Sequence, residues 1–281
     1  MSFVLSDNSY GKSRVRLSQI TRHPDRHEIR EVSVDIRLRG GFADSYLTGG
    51  NATVIPTDTM KNTVYGLAAG YPITSVEDFG LRLGRHFVDG FGHVESAVVH
   101  LAETPWTRIA VGGKPHPTAF VAGSAEKHTA IVEVTRGGAV VRGGVEELLV
   151  LKTTDSEFVG FVRDRFTTLP DVRDRILATM VTAEWLFSGD AADWNAARAS
   201  VRTALLECFA GHKSLAVQQT LFDMGKAALE ACPAVAEITL TMPNKHRIPM
   251  DLRPFGMENK NEIFVTTDEP HGLISGTIRR G

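Results

Sequence analysis

The run Val32-Ser33-Val34-Asp35-Ile36-Arg37-Leu38-Arg39 alternates apolar and polar side chains without a break. A period of two places Val32, Val34, Ile36 and Leu38 on one face of a strand and their polar neighbours on the other. One face is therefore buried and the other wet, as in an antiparallel sheet covered on a single side. What covers it follows in the chain. After the turn-rich Thr48-Gly49-Gly50-Asn51, the pattern changes to a helix from about Asp58 to Ala69, closed by Gly70 and by Pro72. A second helix is expected from Thr74, with Glu77 three residues on at capping-box spacing. Val76, Phe79, Leu83 and Phe87 make its apolar stripe. Strand-like stretches at 96–109 and 129–135 return the chain to the sheet.

Gly137-Gly138 and Gly143-Gly144 read as a flexible crossing at mid-chain, and then the order recurs. Strand-like runs at 148–152 and 180–187 precede a helix over 193–210, with Ala197, Val201, Leu205 and Phe209 four residues apart. A second helix over 214–231 carries Val217, Leu221, Met224 and Ala228 on one face, and Pro233 cannot continue it. Ile238, Leu240 and Met242 alternate with polar residues, and runs at 262–267 and 273–278 add strands. The halves share little residue identity. Their matching order of elements predicts two tandem units, 1–138 and 139–281, each an antiparallel sheet with two helices on one face, an α+β arrangement. Such units have exposed sheet edges, which must be covered, twisted away or closed. Association of several chains into a barrel follows as a physical expectation.

Bulk properties narrow the function classes. The 281 residues suffice for roughly two domains. Hydrophobic residues make up 42% and charged residues 23%, as in an ordinary globular protein. A net charge of -2 gives no basic footprint for nucleic acid. No apolar run reaches the ~18 residues of a membrane span. The start lacks a signal peptide's apolar core, and Thr277-Ile278-Arg279-Arg280-Gly281 is not an SKL-type peroxisomal address, so a cytoplasmic protein is expected. Cys208 and Cys232 lie in apolar helical stretches and read as buried free thiols. The ten histidines are scattered, with neither a metal-ligand spacing nor a nucleotide-binding glycine loop, so no metal and no cofactor is expected.

The residues that carry chemistry cluster at Val54-Ile55-Pro56-Thr57-Asp58-Thr59-Met60-Lys61-Asn62. A hydroxyl, a carboxylate and an ammonium stand at the start of a helix, whose first-turn N–H groups suit an anionic or carbonyl-bearing ligand. Read alone, Thr57 is equally a helix N-cap and Asp58 a charge that steadies the first turn.

Five segments, in order, resemble the urate oxidase family: Tyr10-Gly11-Lys12; the Thr57-Asp58 stretch; Phe158-Val159-Gly160-Phe161-Val162-Arg163-Asp164 with Thr167-Thr168-Leu169 and Asp174-Arg175-Ile176-Leu177; Leu215-Ala216-Val217-Gln218-Gln219-Thr220; and Pro243-Asn244-Lys245-His246. Together they span nearly the whole chain. The resemblance implies the tunnelling fold (T-fold), a homotetramer closing an oligomeric β-barrel, and oxidation of urate by O2 to 5-hydroxyisourate and H2O2. It also implies sites shared between subunits, with Thr57 and Asp58 from one chain and Phe158, Arg175 and Gln218 from its neighbour.

Residue by residue, Lys12 and Thr57 resemble the family's proton-removing dyad, Lys12 as a base and Thr57 as a relay. Asp58 and Val217 would offer backbone N–H groups. Phe158 resembles the aromatic that stacks on the purine. Arg175 and Gln218 resemble the pair that holds the substrate's edge, a planar cationic fork and a donor–acceptor amide. Asn244 is similar to the residue beside dioxygen, and His246 to the proton-relay histidine. Outside these motifs Lys12, Arg175 and Gln218 would read as solvated, Phe158 as core and His246 as structural. Gly50 stands where the family has an acidic residue and Pro56 where it has alanine. The rival readings are a non-catalytic purine-binding protein and a pterin- or purine-handling enzyme of the same fold. A binder would need only the clamp, without Lys12 and Thr57.

Overall fold

The computed structural model describes residues 3–189 and 193–281. The chain forms two compact units. One takes the chain up to Gly144 together with Leu186–Asn195, and the other takes Val145–Trp185 and Ala196–Gly281.

In the first unit, β1 (Tyr10–Arg22) and β2 (His27–Gly40) form a long hairpin. After a short helix α1 (Ala43–Leu47) come α2 (Thr57–Gly70) and α3 (Val76–Gly90). The chain returns through β3 (Val94–Thr104), the hairpin β4 (Trp106–Val111) and β5 (Lys114–Ala122), β6 (Lys127–Thr135) and the start of β7 (Gly138–Lys152). The sheet order is β1-β2-β3-β6-β7. As the alternation predicts, Val32, Val34, Ile36 and Leu38 are buried, and β2 lies antiparallel to β3 with Ile36 opposite Val99. The stripe Val76, Phe79, Leu83, Phe87 is fully buried against this face. Gly80 and Gly84 let α3 settle closely, because a Cβ at either would collide with Val132 or Val134 of β6.

In the second unit the order is β7-β8-β9-β12, with β8 Leu177–Phe187, β9 Val235–Asn244 and β12 Gly272–Arg279. The helices are α4 (Trp194–Gly211) and α5 (Val217–Ala231), and a small hairpin β10 (Arg247–Pro249) and β11 (Phe264–Thr266) precedes β12. Val217, Leu221, Met224 and Ala228 are buried as expected. Gly225 repeats the close approach of the first unit, since a Cβ there would meet Ile278 and Leu240.

Several expectations change. The 96–109 stretch is two strands. Pro105 supplies no N–H to continue β3, and Gly112 and Gly113, at φ 59° and 77°, turn β4 into β5. Gly143-Gly144 lies inside β7 rather than in a crossing, and the turn falls at Gly137-Gly138. The cap of α3 is Ser75, whose hydroxyl accepts from Asp78 N at 3.1 Å, one residue on from the expected Thr74–Glu77 box. Cys232 is buried, but Cys208 is only half-buried. Part of the expected 193–210 helix borders residues outside the described set, and it begins at Trp194. No helix among the described residues is long and apolar enough to cross a membrane.

Candidate active site

In the first unit, Tyr10-Gly11-Lys12 opens β1 opposite Ile36 to Leu38. Each member has a physical reason. The Tyr10 hydroxyl donates to Ile55 O at 3.2 Å and accepts from Ile55 N at 2.8 Å, tying β1 to the segment that enters α2. Burial pushes the Tyr10 phenol's pKa up, against the pull of its bond with Ile55. Gly11 is required by close approach, since a Cβ there would run into Ile36 O. Immediately after Lys12 the register slips, and Arg14 takes a positive φ of 56° with its N–H on the Asp35 carboxylate. A bulge of this kind re-aims the side chains beside it. Lys12 makes no ion pair or side-chain hydrogen bond among the described residues.

Thr57 is the first residue of α2, with Pro56 in the cap position at φ -54° and ψ 136°. Thr57 is thus not the N-cap that its type alone allows. The first helical bond is Met60 N to Pro56 O at 3.1 Å, so the N–H groups of Thr57, Asp58 and Thr59 lie ahead of it. The Asp58 carboxylate is occupied by Lys61 Nζ at 2.5 Å and Asn62 Nδ2 at 3.0 Å. The Lys61 bond is the main cause of its lowered pKa, and the charge of Lys12 adds to it. The Asp58 side chain therefore braces the first turn of the helix, and its backbone N–H is left outside the helical ladder.

In the second unit, residues 154–175 form a loop pinned on Ser156. Ser156 bridges Ser214, with Glu157 N donating to Ser214 O and Ser214 N to Asp155 O, both at 2.8 Å. Arg175 N donates to Ser156 O at 2.8 Å, and Phe158 exchanges bonds with Val172. These contacts bring Phe158 and Arg175 together, with the guanidinium carbon 5.3 Å from the ring centroid. Phe161 stacks on Phe158 at 4.8 Å and 9°, backing one face of the ring.

Arg175 has no carboxylate partner among the described residues. The acids around it are engaged elsewhere: Asp174 with Thr154, Asp171 with Arg163, Glu157 with Lys213. Its Nε is buried without a hydrogen bond, and burial lowers its pKa. A partly desolvated guanidinium without a counter-charge has the chemistry to pair with an anion.

Ser214 leads into α5. Gln219 accepts from Leu215 N at 2.9 Å, and the first helical bond is Thr220 N to Ala216 O. The N–H groups of Val217 and Gln218 are left ahead of it, with Val217 buried and Gln218 exposed. Asn244 ends β9 opposite Gly272, and Lys245 N donates to Ala178 O at 2.8 Å beside the start of β8. Neither the Asn244 amide nor the His246 ring has a hydrogen-bond partner among the described residues. Phe158, Arg175, Val217, Gln218, Asn244 and His246 belong to the second unit, and Lys12, Thr57 and Asp58 to the first. Sequence reading missed the tie at Tyr10, the backing ring Phe161 and the bridge Ser156–Ser214. Only the last had no signal, because two serines carry no pattern.

A uricase family profile matches residues 8–133 and 141–275. The chain belongs to the uricase family. It is 45% identical to the uricase of Arthrobacter globiformis over 278 residues, covering 99% of this chain and 90% of that protein. It is 37% identical to the uricase of Dictyostelium discoideum, covering 99% and 98%. The crystal structure of the Arthrobacter globiformis uricase superposes with a TM-score of 0.94 at 44% identity, covering all of this chain and 96% of that one. As a uricase the chain is an oxidoreductase that acts on urate, and its α+β units with antiparallel sheets accord with the tunnelling fold.

Proposed function

We propose that this uricase converts urate, O2 and water to 5-hydroxyisourate and H2O2 without a cofactor. The proposed site is shared between chains of a homotetramer, with Lys12, Thr57 and Asp58 of one chain facing Phe158, Arg175, Val217, Gln218, Asn244 and His246 of a neighbour. The observation that carries this reading is the unpaired Arg175 guanidinium over Phe158. A flat anionic heterocycle satisfies both at once, by stacking and by a charge-assisted bidentate bond.

The roles follow from chemistry. Lys12, relayed by Thr57, removes a urate proton. Arg175 and the Gln218 amide hold the edge on which the negative charge lies, and the N–H groups of Asp58 and Val217 complete the frame. The electron-rich urate dianion then gives two electrons to O2, and a water oxygen bonds to C5. Asn244 orients the oxygen species, and His246 carries protons to the peroxide. The substrate's own ring supplies the electrons, so the protein deprotonates, orients and shields. We read the sheet edges as the means of assembly. β1 ends the first unit's sheet and β12 the second's, and each offers unpaired backbone groups to a neighbouring chain, closing a barrel.

The test is decay of the urate absorption band with peroxide detected, using protein dialysed against chelator. Full activity is expected. Activity lost on chelation and restored by one metal would overturn the cofactor-free reading.

A further inference from the structure

The second unit contains a polar relay, part-exposed at Asp223 and buried at its hydroxyls, that the reaction scheme does not use. His212 follows α4, with Nδ1 3.3 Å from Asp223 Oδ2 and Nε2 3.0 Å from Thr220 Oγ1. The Thr220 and Ser214 hydroxyl oxygens are 2.7 Å apart. Ser214, Thr220 and Ser156 are fully buried. The Asp223 carboxylate faces ring Nδ1 and the Thr220 oxygen faces Nε2, while the Thr220 hydroxyl donates to Ser214 Oγ and the Ser214 hydroxyl to Ala216 O. The Lys152 ammonium donates to the backbone carbonyl of His212 and fixes the end of the relay.

What the relay holds is the backbone of the ligand site. Ser214 carries the bridge to Ser156, Ser156 O receives Arg175 N, and Phe158 lies two residues beyond Ser156. On its other side Ser214 stands just before the first turn of α5, where Val217 and Gln218 lie. One residue thus joins the two segments that would grip the substrate.

We infer that His212 is a positioning residue for urate binding, which through Thr220 and Ser214 sets the spacing between the Phe158–Arg175 loop and the first turn of α5. The inference rests on the reading of Phe158, Arg175 and Gln218 as the clamp. A bond made only to hold the chain would leave affinity untouched once the protein is folded. A bond that sets the clamp's width changes affinity for the whole ligand.

The experiment measures urate KM and kcat, and equilibrium binding of the unreactive analogue 8-azaxanthine, for His212→Ala, His212→Gln, Thr220→Val and Arg175→Ala. Loss of the relay should raise KM and the analogue's Kd together by about tenfold in His212→Ala and Thr220→Val, while kcat falls less than KM rises. The side-chain amide introduced by His212→Gln reaches Thr220 and should restore most of the affinity. Thr220→Val removes the hydroxyl at nearly constant volume, so it decides the matter where His212→Ala fails to fold. Normal analogue affinity in folded Thr220→Val overturns the inference, as does failure of His212→Gln to restore affinity. If Arg175→Ala also binds normally, the clamp reading itself fails. If only Arg175→Ala loses binding, the clamp stands and the role of His212 falls.

Discussion

Arg175 sits over the Phe158 ring, 5.3 Å from its centroid, while Asp174 bonds Thr154, Asp171 pairs with Arg163 and Glu157 with Lys213. Backbone bonds through Ser156 hold this pair, the proposed clamp for urate. Arg175→Ala should weaken binding of urate and of 8-azaxanthine by about 1.5–3 kcal/mol, the range for a charge-assisted hydrogen bond. Arg175→Lys should recover little, because an ammonium cannot make a planar two-pronged contact. Titration calorimetry with the analogue checks both.

Lys12→Ala and Thr57→Ala should each lower kcat by about 10²–10⁴, the range for a positioned acid–base group. If the two act as one unit, the double variant loses little more than the worse single one. Steady-state kinetics on all three variants settles it, and full multiplication of the single effects would separate the residues.

Tyr10 bonds Ile55 through both its donor and its acceptor, and so connects the Lys12 strand to the start of α2. Tyr10→Phe leaves a backbone N–H and C=O without partners, at a cost of about 1–3 kcal/mol in stability. Thermal unfolding should show that loss, and kcat should fall while the analogue's Kd stays near that of the unaltered protein.

His212 has its pKa held below the ordinary 6.5, by burial first and then by the Lys152 charge, against the opposing pull of Asp223. Cys208 of α4 shares Asp223 and Lys152 as neighbours, and its thiol is pushed up, chiefly by burial. Between the lowered folded value and 6.5, the unfolded chain binds more protons than the folded one. Stability from this group is therefore complete above 6.5 and falls as pH drops through that window. Melting temperatures of the unaltered protein and His212→Gln should converge as pH falls from 7 to 5. A gap that widens in acid would reverse the sign.

The alternation at Val32–Leu38 and the stripe Val76, Phe79, Leu83, Phe87 were legible because burial on one face writes its period into the sequence. β1 was not. Its face near Lys12 is interrupted by the bulge at Arg14, and Val15 is its only buried apolar residue. The split at Pro105 needed the proline and the Gly112-Gly113 turn to be read together. Candidate site residues were found through motifs, whose side chains the fold leaves unpaired, as at Lys12, Arg175 and Asn244. Their supports were hidden. Ser156, Ser214 and Thr220 act through backbone bonds and buried hydroxyls, which have no periodicity and no characteristic spacing.

The central claim is that a working site draws Thr57 from one chain and Arg175 from another. Thr57→Ala and Arg175→Ala proteins, each nearly inactive, can be unfolded together, reassembled as hybrids, and assayed for urate decay against each parent refolded alone. Some hybrid sites would then contain only intact contributions, so activity should rise well above either parent and follow the fraction of mixed oligomers. Hybrids confirmed by mass spectrometry that remain as inactive as their parents would place both residues in the same chain's site and contradict the shared-site account.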